Sequence, residues 1–383
     1  MSKARMAAAL VAGLASVVVA AGAAVWTVPS LQDALVQRVI DQRVGLHDRD
    51  GLLDDGALHV VLCGTGSPMP DSTRADACTA IVAGGHIVVI DAGPGSWTSF
   101  AGTRLPAQKI DAVLLTHLHS DHIDGLPEFA VQTWISGRKV PLDVFGPGKA
   151  QEVKPVVDAA GRIHGASGTK EVVQGISLAL DADSGYRIAH HDADHLIPEA
   201  VGMTAHEIAT PAPGELVTVF DKDGLKISAF LVDHRPVEPA FGYRVEYGGR
   251  VAVLSGDTKK NANLAHMAVG ADLLIHEALN REMVAKVAAG LDRAGDHRLA
   301  KMARDTLTYH TSPVEAAEIA GAGHVKLLVY AHVVPPLPNA LVRRVFLRGV
   351  DAVRGEGDTK LGYDGMMITM PAGSQAISIS DLL

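Results

Sequence analysis

Residues His117-Leu118-His119-Ser120-Asp121-His122 place four potential metal ligands within six positions. They follow Thr116 and an apolar run, Ala112-Val113-Leu114-Leu115, that fits a buried strand. In an extended segment residues two apart point to one side, so His117 and His119 can reach one metal ion. The chain then turns, and Asp121 and His122 can face a second. Zinc takes imidazole nitrogen and carboxylate oxygen in near-tetrahedral arrangements, and a catalytic site keeps a position open for water. A lone His-x-His is weak evidence, but four ligand-type residues just past an apolar strand are rare in a solvated turn.

Three further residues repeat the pattern of an apolar run ending in a ligand type. His234 follows Phe230-Leu231-Val232; Asp257 follows Val251 to Leu254 within Ser255-Gly256-Asp257-Thr258; His332 follows Leu327 to Tyr330. A sheet edge is where such groups gather from distant parts of a chain. The elements that must position them are strands at Leu58 to Leu62, Thr79 to Val82, His86 to Ile90, Leu142 to Phe145, Leu225 to Val232 and Phe241 to Tyr247. Helices are predicted at Leu126 to Ile135, Asn261 to Val269, Arg281 to Ala289, Pro313 to Ala320 and Ala340 to Val353, with a last strand at Gly365 to Met370. Strands in meanders that later alternate with helices imply an α/β sandwich of mixed sheets covered by helices. From about 161 to 213 the periodicity is weak, and the stretch reads as an irregular insertion. It contains His190-His191-Asp192-Ala193-Asp194-His195, which no apolar strand precedes and which reads as a solvated loop.

These residues resemble the ribonuclease Z and arylsulfatase-like branch of the metallo-β-lactamase superfamily, from about Leu58 to Met370. The likeness is carried by LCGTGSPMPDSTR (Leu62 to Arg74), VVIDAGPG (Val88 to Gly95), LLTHLHSDHIDGLP (Leu114 to Pro127) and VDHRPVEPAFGYRVEY (Val232 to Tyr247). VLSGDT (Val253 to Thr258), LLIHEA (Leu273 to Ala278) and YHTSPVEAAEIA (Tyr309 to Ala320) extend it. The resemblance implies an αββα sandwich of two mixed sheets flanked by helices, with two zinc ions per chain. It implies His117, His119 and His234 on the first metal, Asp121, His122 and His332 on the second, and Asp257 bridging both. Asp91 would orient the histidine loop, since carboxylates behind a ligand fix its tautomer and position. Asp121, Glu277 and His310 would be the catalytic groups, with Glu277 steering His310 as it protonates the departing oxygen. Two cations sharing a water lower its pKa to near neutrality and stabilise charge on the attacked phosphorus or sulfur.

The same resemblance implies a tRNA-gripping arm between the GYR strand and the SGDT strand, yet only Glu246 to Arg250 separates them here. The net charge is −9 with a pI near 6.0, and Lys and Arg cluster only in pairs such as Lys259-Lys260 and Arg343-Arg344. Nucleic-acid binders usually carry a basic domain or stripe, so nucleic acid is not expected as a partner. A small-molecule ester, phosphodiester or sulfate, is the expected substrate. The alternatives are a ribonuclease Z-type tRNA 3′ endonuclease and a metal-binding sensor or scaffold without turnover. A homodimer is left open.

The N-terminus carries Lys3 and Arg5 before an uncharged apolar stretch from Met6 to Val28, long enough for a bilayer. Residues 1–30 therefore read as a signal anchor or transmembrane segment, with Ala21-Gly22-Ala23 as an alternative cleavage site. Residues 31–55 read as a partly helical linker and 56–383 as the catalytic domain. Positive charge ahead of the span places the protein at the inner membrane with that domain in the periplasm. An exported domain permits a disulfide between the two cysteines, Cys63 and Cys78.

Overall fold

The computed structural model describes residues 24–43, 49–150, 156–165, 167–355 and 357–383. It falls into two compact units, residues 1–48 and 49–383. In the first, helix α1 (Pro29–Arg43) accounts for the helical part of the expected linker. Residues 6–23 of the apolar N-terminal stretch lie outside the described residues, so the anchor has no structural support here. Among the described residues no helix is long and apolar enough to cross a membrane.

The second unit holds two sheets. The first contains β1 (Ala57–Gly64), β2 (Cys78–Ala83), β3 (His86–Ile90), β4 (Ile110–Leu114), β5 (Leu142–Pro147), β8 (Met203–Ile208), β16 (Met366–Pro371) and β17 (Ser378–Asp381). Its order is β17-β16-β1-β2-β3-β4-β5-β8. The second contains β9 (Val217–Lys222), β10 (Leu225–Leu231), β11 (Phe241–Tyr247), β12 (Arg250–Leu254), β13 (Leu273–Leu279), β14 (Leu327–Val334) and β15 (Thr359–Leu361). Its order is β15-β14-β13-β12-β11-β10-β9, and β6 (Val156–Val157) pairs with β7 (Ile163–His164) apart from both sheets.

Both sheets are mixed. β1, β2 and β3 run antiparallel, whereas β3, β4, β5 and β8 are parallel. In the second sheet β12, β13, β14 and β15 are parallel. Alternate residues of facing strands, such as Leu58, Val60, Ile81, Val88, Ile227, Tyr243 and Leu254, fill the layer between the sheets. The opposite faces are covered by helices. α2 (Ser96–Gly102) and α4 (Leu126–Ile135) bury Phe100 and Phe129 on the first sheet. α6 (Ala262–Met267), α9 (Pro313–Ala322) and α10 (Ala340–Phe346) bury Leu264, Ile319 and Phe346 on the second. The architecture is the expected αββα sandwich. Cys63 and Cys78 are joined by the expected disulfide, with Cα atoms 4.9 Å apart where β1 pairs with β2.

The stretch from 161 to 213 is more ordered than its sequence suggests. It contains α5 (Thr169–His191) and the edge strand β8. Gly175, Ser177, Ser184 and Gly185 hide α5 from propensity arguments. Its helix is secured instead by packing: Val173 and Ile176 enter the core beneath the first sheet, and Glu171 accepts the Gly168 N–H at 2.9 Å. A second departure follows β13, where α7 (Arg281–Arg293) is joined by an unanticipated α8 (His297–Thr306). Asp296 caps α8 by accepting the Leu299 N–H at 3.0 Å.

One buried ion pair ties the second sheet together. Asp272 accepts Arg250 Nε at 3.1 Å and the Val251 N–H at 2.8 Å, and its other oxygen accepts Lys326 Nζ at 2.7 Å. Burial raises the pKa of this carboxyl, but Lys326, the Val251 amide and Arg250 hold it below the usual value. Asp272→Ala should cost about 3–5 kcal/mol, because it strands the buried Arg250 guanidinium. A depressed folded-state pKa gives stability that is complete above the unfolded value of about 3.9 and fades as pH falls through the folded one. The gap between denaturant melts of wild type and variant should therefore be full above about pH 4 and close only as pH falls through the lower, folded-state value. A gap that persists below that value would assign the loss to packing.

Candidate metal centre

The site lies where β3, β4, β12, β13 and β14 end on one edge of the sandwich. β4 runs out at Leu114, and the loop after it carries His117 and His119 into α3 (Ser120–Ile123), which bears Asp121 and His122. The loop after β10 supplies His234, and the turn after β12 supplies Asp257. Gly256 precedes Asp257 with φ of 57°, and a Cβ there would lie 2.5 Å from the Phe241 carbonyl oxygen. Only glycine lets that turn close against Phe241 and Thr116. His332 is placed differently from the sequence expectation, because β14 continues to Val334 instead of stopping before it. The register passes from Glu277↔Ala331 to Ala278↔Val333, so His332 is the extra residue of a β-bulge, with φ of 46°. A bulge re-aims one side chain without ending the strand.

All seven expected ligands converge. His117, His119 and His234 form one group whose ligand atoms lie within 4.8 Å of one another, and Asp121, His122 and His332 form another. Asp257 groups with His117 and His122 on one side and with His234 and His310 on the other. Its Oδ2 is 3.4 Å from His332 Nε2, 3.6 Å from His122 Nε2 and 3.9 Å from His234 Nε2. Apart from the exposed His119, the set is buried. His122 Nε2, His234 Nε2 and Asp257 Oδ1 have no hydrogen-bond partner despite burial. Each such orphan costs on the order of 1–3 kcal/mol. Imidazole and carboxylate orphans converging in this way fit a divalent metal of zinc type.

Groups behind the ligands fix their orientation. Asp91 accepts the Thr116 N–H and hydroxyl, each at 2.8 Å, and lies 2.8 Å from His122 Nδ1, which leaves Nε2 facing the cluster. The Tyr309 carbonyl lies 3.2 Å from His234 Nδ1 and does the same for that ring. Glu277 Oε1 accepts the Thr311 N–H at 2.8 Å and lies 3.1 Å from His310 Nδ1, so the Nε2 of His310 is the atom left for substrate.

The electrostatics divide the histidines. Burial pushes His117 well below its ordinary pKa, with His122 adding to the drop. Burial also takes His234 down to about 4 against the pull of Asp257. His332 is held up at about 9 by Asp257 and Asp121, and His122 well above its usual value by Asp91 and Asp257, both against burial. Asp257 and Asp121 lie below the usual carboxylate range, again against burial, because His332 and His122 adjoin them. Metal entry must release the protons of those imidazoles.

Some contributors carry no sequence signal. Asp76 is a half-buried carboxyl that burial, and then Asp121, raise to about 6. Asp364 accepts the Thr65 N–H and hydroxyl and the Ala75 N–H, clamping the loop beside the site. A single Asp in a loop announces neither role. The His190-to-His195 segment is the end of α5 and an exposed turn, in which Asp192 lies 2.8 Å from His195 Nδ1. Among the described residues it joins no metal-type group.

The model of the family described as "Metallo-beta-lactamase superfamily" matches residues 74–332. A Ribonuclease Z of Mycolicibacterium paratuberculosis is 38% identical over 283 residues, which is 73% of this chain and 87% of that protein. Among solved structures, the metallo-beta-lactamase fold protein YhfI of Bacillus subtilis aligns with a TM-score of 0.53 at 17% identity, covering 82% of this chain and 99% of that one. The short form of human tRNase Z aligns with a TM-score of 0.52 at 22% identity, over 82% and 99%. At such identities the two structures speak for the fold. The exclusion of nucleic acid as a partner does not stand against relatives named for acting on RNA. Net charge averages over a surface and is blind to a local patch. The arylsulfatase-like preference likewise gives way to the ribonuclease Z alternative.

Proposed function

The chain belongs to the metallo-beta-lactamase superfamily of metal-dependent hydrolases, and from that premise we propose that it cleaves phosphodiester bonds of RNA. The observation that carries this reading is the convergence of two ligand groups on Asp257, with the Glu277–His310 pair in the same buried pocket. The name shared by its relatives supplies the bond type. Metal ions at His117, His119 and His234 and at Asp121, His122 and His332 would activate water and draw charge from the phosphoryl oxygens.

The chain's own residues do the rest. Asp91 and the Tyr309 carbonyl lock imidazole tautomers, so the ligand atoms are aimed before anything binds. Glu277 keeps the Nδ1 proton of His310, and Nε2 holds the proton for the departing ribose oxygen. Burial lowers the His310 pKa, but Glu277 and Asp257 outweigh it and raise the imidazole above its ordinary range, which favours the proton-carrying form.

The purified chain should cleave an RNA hairpin with a single-stranded 3′ extension. Chelation should abolish that activity and zinc restore it, with about two ions per chain by elemental analysis. Hydrolysis of small esters without any RNA cleavage sinks the reading. A reproducible content of one zinc or less sinks the paired-metal arrangement.

A further inference from the structure

An acidic chain that acts on RNA needs somewhere to hold a polyanion. The GYR and SGDT strands offer no arm, since β11 and β12 are joined by the tight Gly248-Gly249 turn. The region 149–200, with α5, is no substitute, as it carries five Lys and Arg against eight Asp and Glu.

The opposite flank differs. β13 and β14 are parallel and deliver Glu277 and His332 to the site; their next helices are α7 and α10. Both helices therefore spring from the site's edge. Asn280, the N-cap of α7, donates from Nδ2 to the Phe346 carbonyl of α10 at 3.0 Å. Met283 of α7 and Val342 and Leu347 of the α10 segment pack on the same buried cluster as Phe346.

Residues 335–350 contain Arg343, Arg344 and Arg348 and no acidic residue. All three arginines are exposed, and among the described residues none has a carboxylate partner. Lys286 on α7 and Arg293 and Arg298 at the α7–α8 tip are likewise exposed and unpaired, whereas Lys301 and Arg304 are taken up by Asp305 and Asp292. The field of Arg343 reaches inward: burial lowers the Arg74 pKa and Arg343 adds to the drop. Arg74 in turn donates to the Thr65 hydroxyl and the Gly362 carbonyl in the loop beside the site. Arg293 lies twelve positions along the helix from Arg281, which donates to the His310 carbonyl at 3.0 Å. That is about 18 Å of helix, farther than a small ester seated at the ligands extends and well within a polynucleotide's length.

We propose that this flank, centred on Arg343, Arg344 and Arg348 and extended by Lys286, Arg293 and Arg298, is the track for the sugar–phosphate backbone of the RNA beyond the scissile bond. The inference rests on the RNA-cleaving reading above. Charge complementarity supplies the affinity, because each phosphate met by Lys or Arg releases condensed counterions.

The test uses the whole chain, a fluorescent RNA hairpin with a 3′ extension, and bis(p-nitrophenyl) phosphate. The triple variant Arg343→Ala, Arg344→Ala and Arg348→Ala should bind the RNA roughly 10-fold or more weakly at about 0.1 M salt. The slope of log affinity against log salt should fall by about 2. Turnover of the small ester should stay within about two-fold, and a triple Lys variant should keep the slope. Unchanged RNA affinity and slope would overturn the track while RNA cleavage by the wild type leaves the proposed function standing. Equal losses on RNA and small ester would overturn it too, by showing that the arginines support the site's fold. A wild type that hydrolyses the ester but neither binds nor cleaves RNA would remove the proposed function, and the track with it.

Discussion

Asp257→Ala should lower hydrolysis by on the order of 10³-fold or more, since residues acting as one unit fail together, and leave a folded domain. Asp257 lies between the two groups, with Oδ2 within 4.0 Å of four imidazoles. No neighbouring carboxylate can take its place between His122 and His234. Asp121 still lies 3.4 Å from His122 Nε2 and 3.0 Å from His332 Nε2, but the substitution removes the carboxylate that reaches from these rings to His234, so metal content should fall along with activity. Asp257→Asn separates shape from charge: it fills the same space but cannot supply the anion, and it should fail nearly as badly. His191→Ala, at the exposed end of α5, should change activity by no more than a few-fold. Circular dichroism and zinc analysis of all three variants check the claim. Comparable losses at Asp257 and His191 would show that the centre lies elsewhere.

His310→Ala should be selective for the leaving group. A p-nitrophenolate departs without a proton, whereas the ribose oxygen of RNA needs one in the transition state. The variant should therefore lose roughly 10²–10⁴-fold on RNA, the usual worth of a positioned acid, and little on bis(p-nitrophenyl) phosphate. The geometry supports this role because Glu277 occupies Nδ1 at 3.1 Å and leaves Nε2 uncommitted. Glu277→Gln should show the same selectivity more weakly, since it loosens the tautomer without removing the ring. His310 also stands near enough to Asp257, His234 and His332 to act as a ligand. Equal losses on both substrates, with zinc content reduced, would assign it there.

The sequence by itself determined the parts of this protein that are local. His117 to His122 could be read as a metal-type cluster because four ligand-type residues fall within six positions after one strand. His234 and Asp257 were legible because each ends an apolar run, and β10 and β12, both antiparallel to the β11 between them, run the same way and end on one edge. The Cys63–Cys78 bridge was legible for the same reason, as the two cysteines border consecutive paired strands. Tertiary structure decided the rest. α5 exists although its glycines, serines and aspartates disfavour a helix, because packing of Val173 and Ile176 outweighs propensity. His332 reaches the site through a bulge set by the register of β14 against β13, which periodicity along one strand cannot reveal. Asp76 and Asp364 matter only through neighbours far away in sequence. Charge gave the sharpest failure: a net value of −9 is a sum over the chain. Electrostatic attraction in water is screened within roughly 8–10 Å, so what a polyanion meets is the local set around Arg343, Arg344 and Arg348. Only the fold brings the segment that carries them against Asn280, three residues past Glu277.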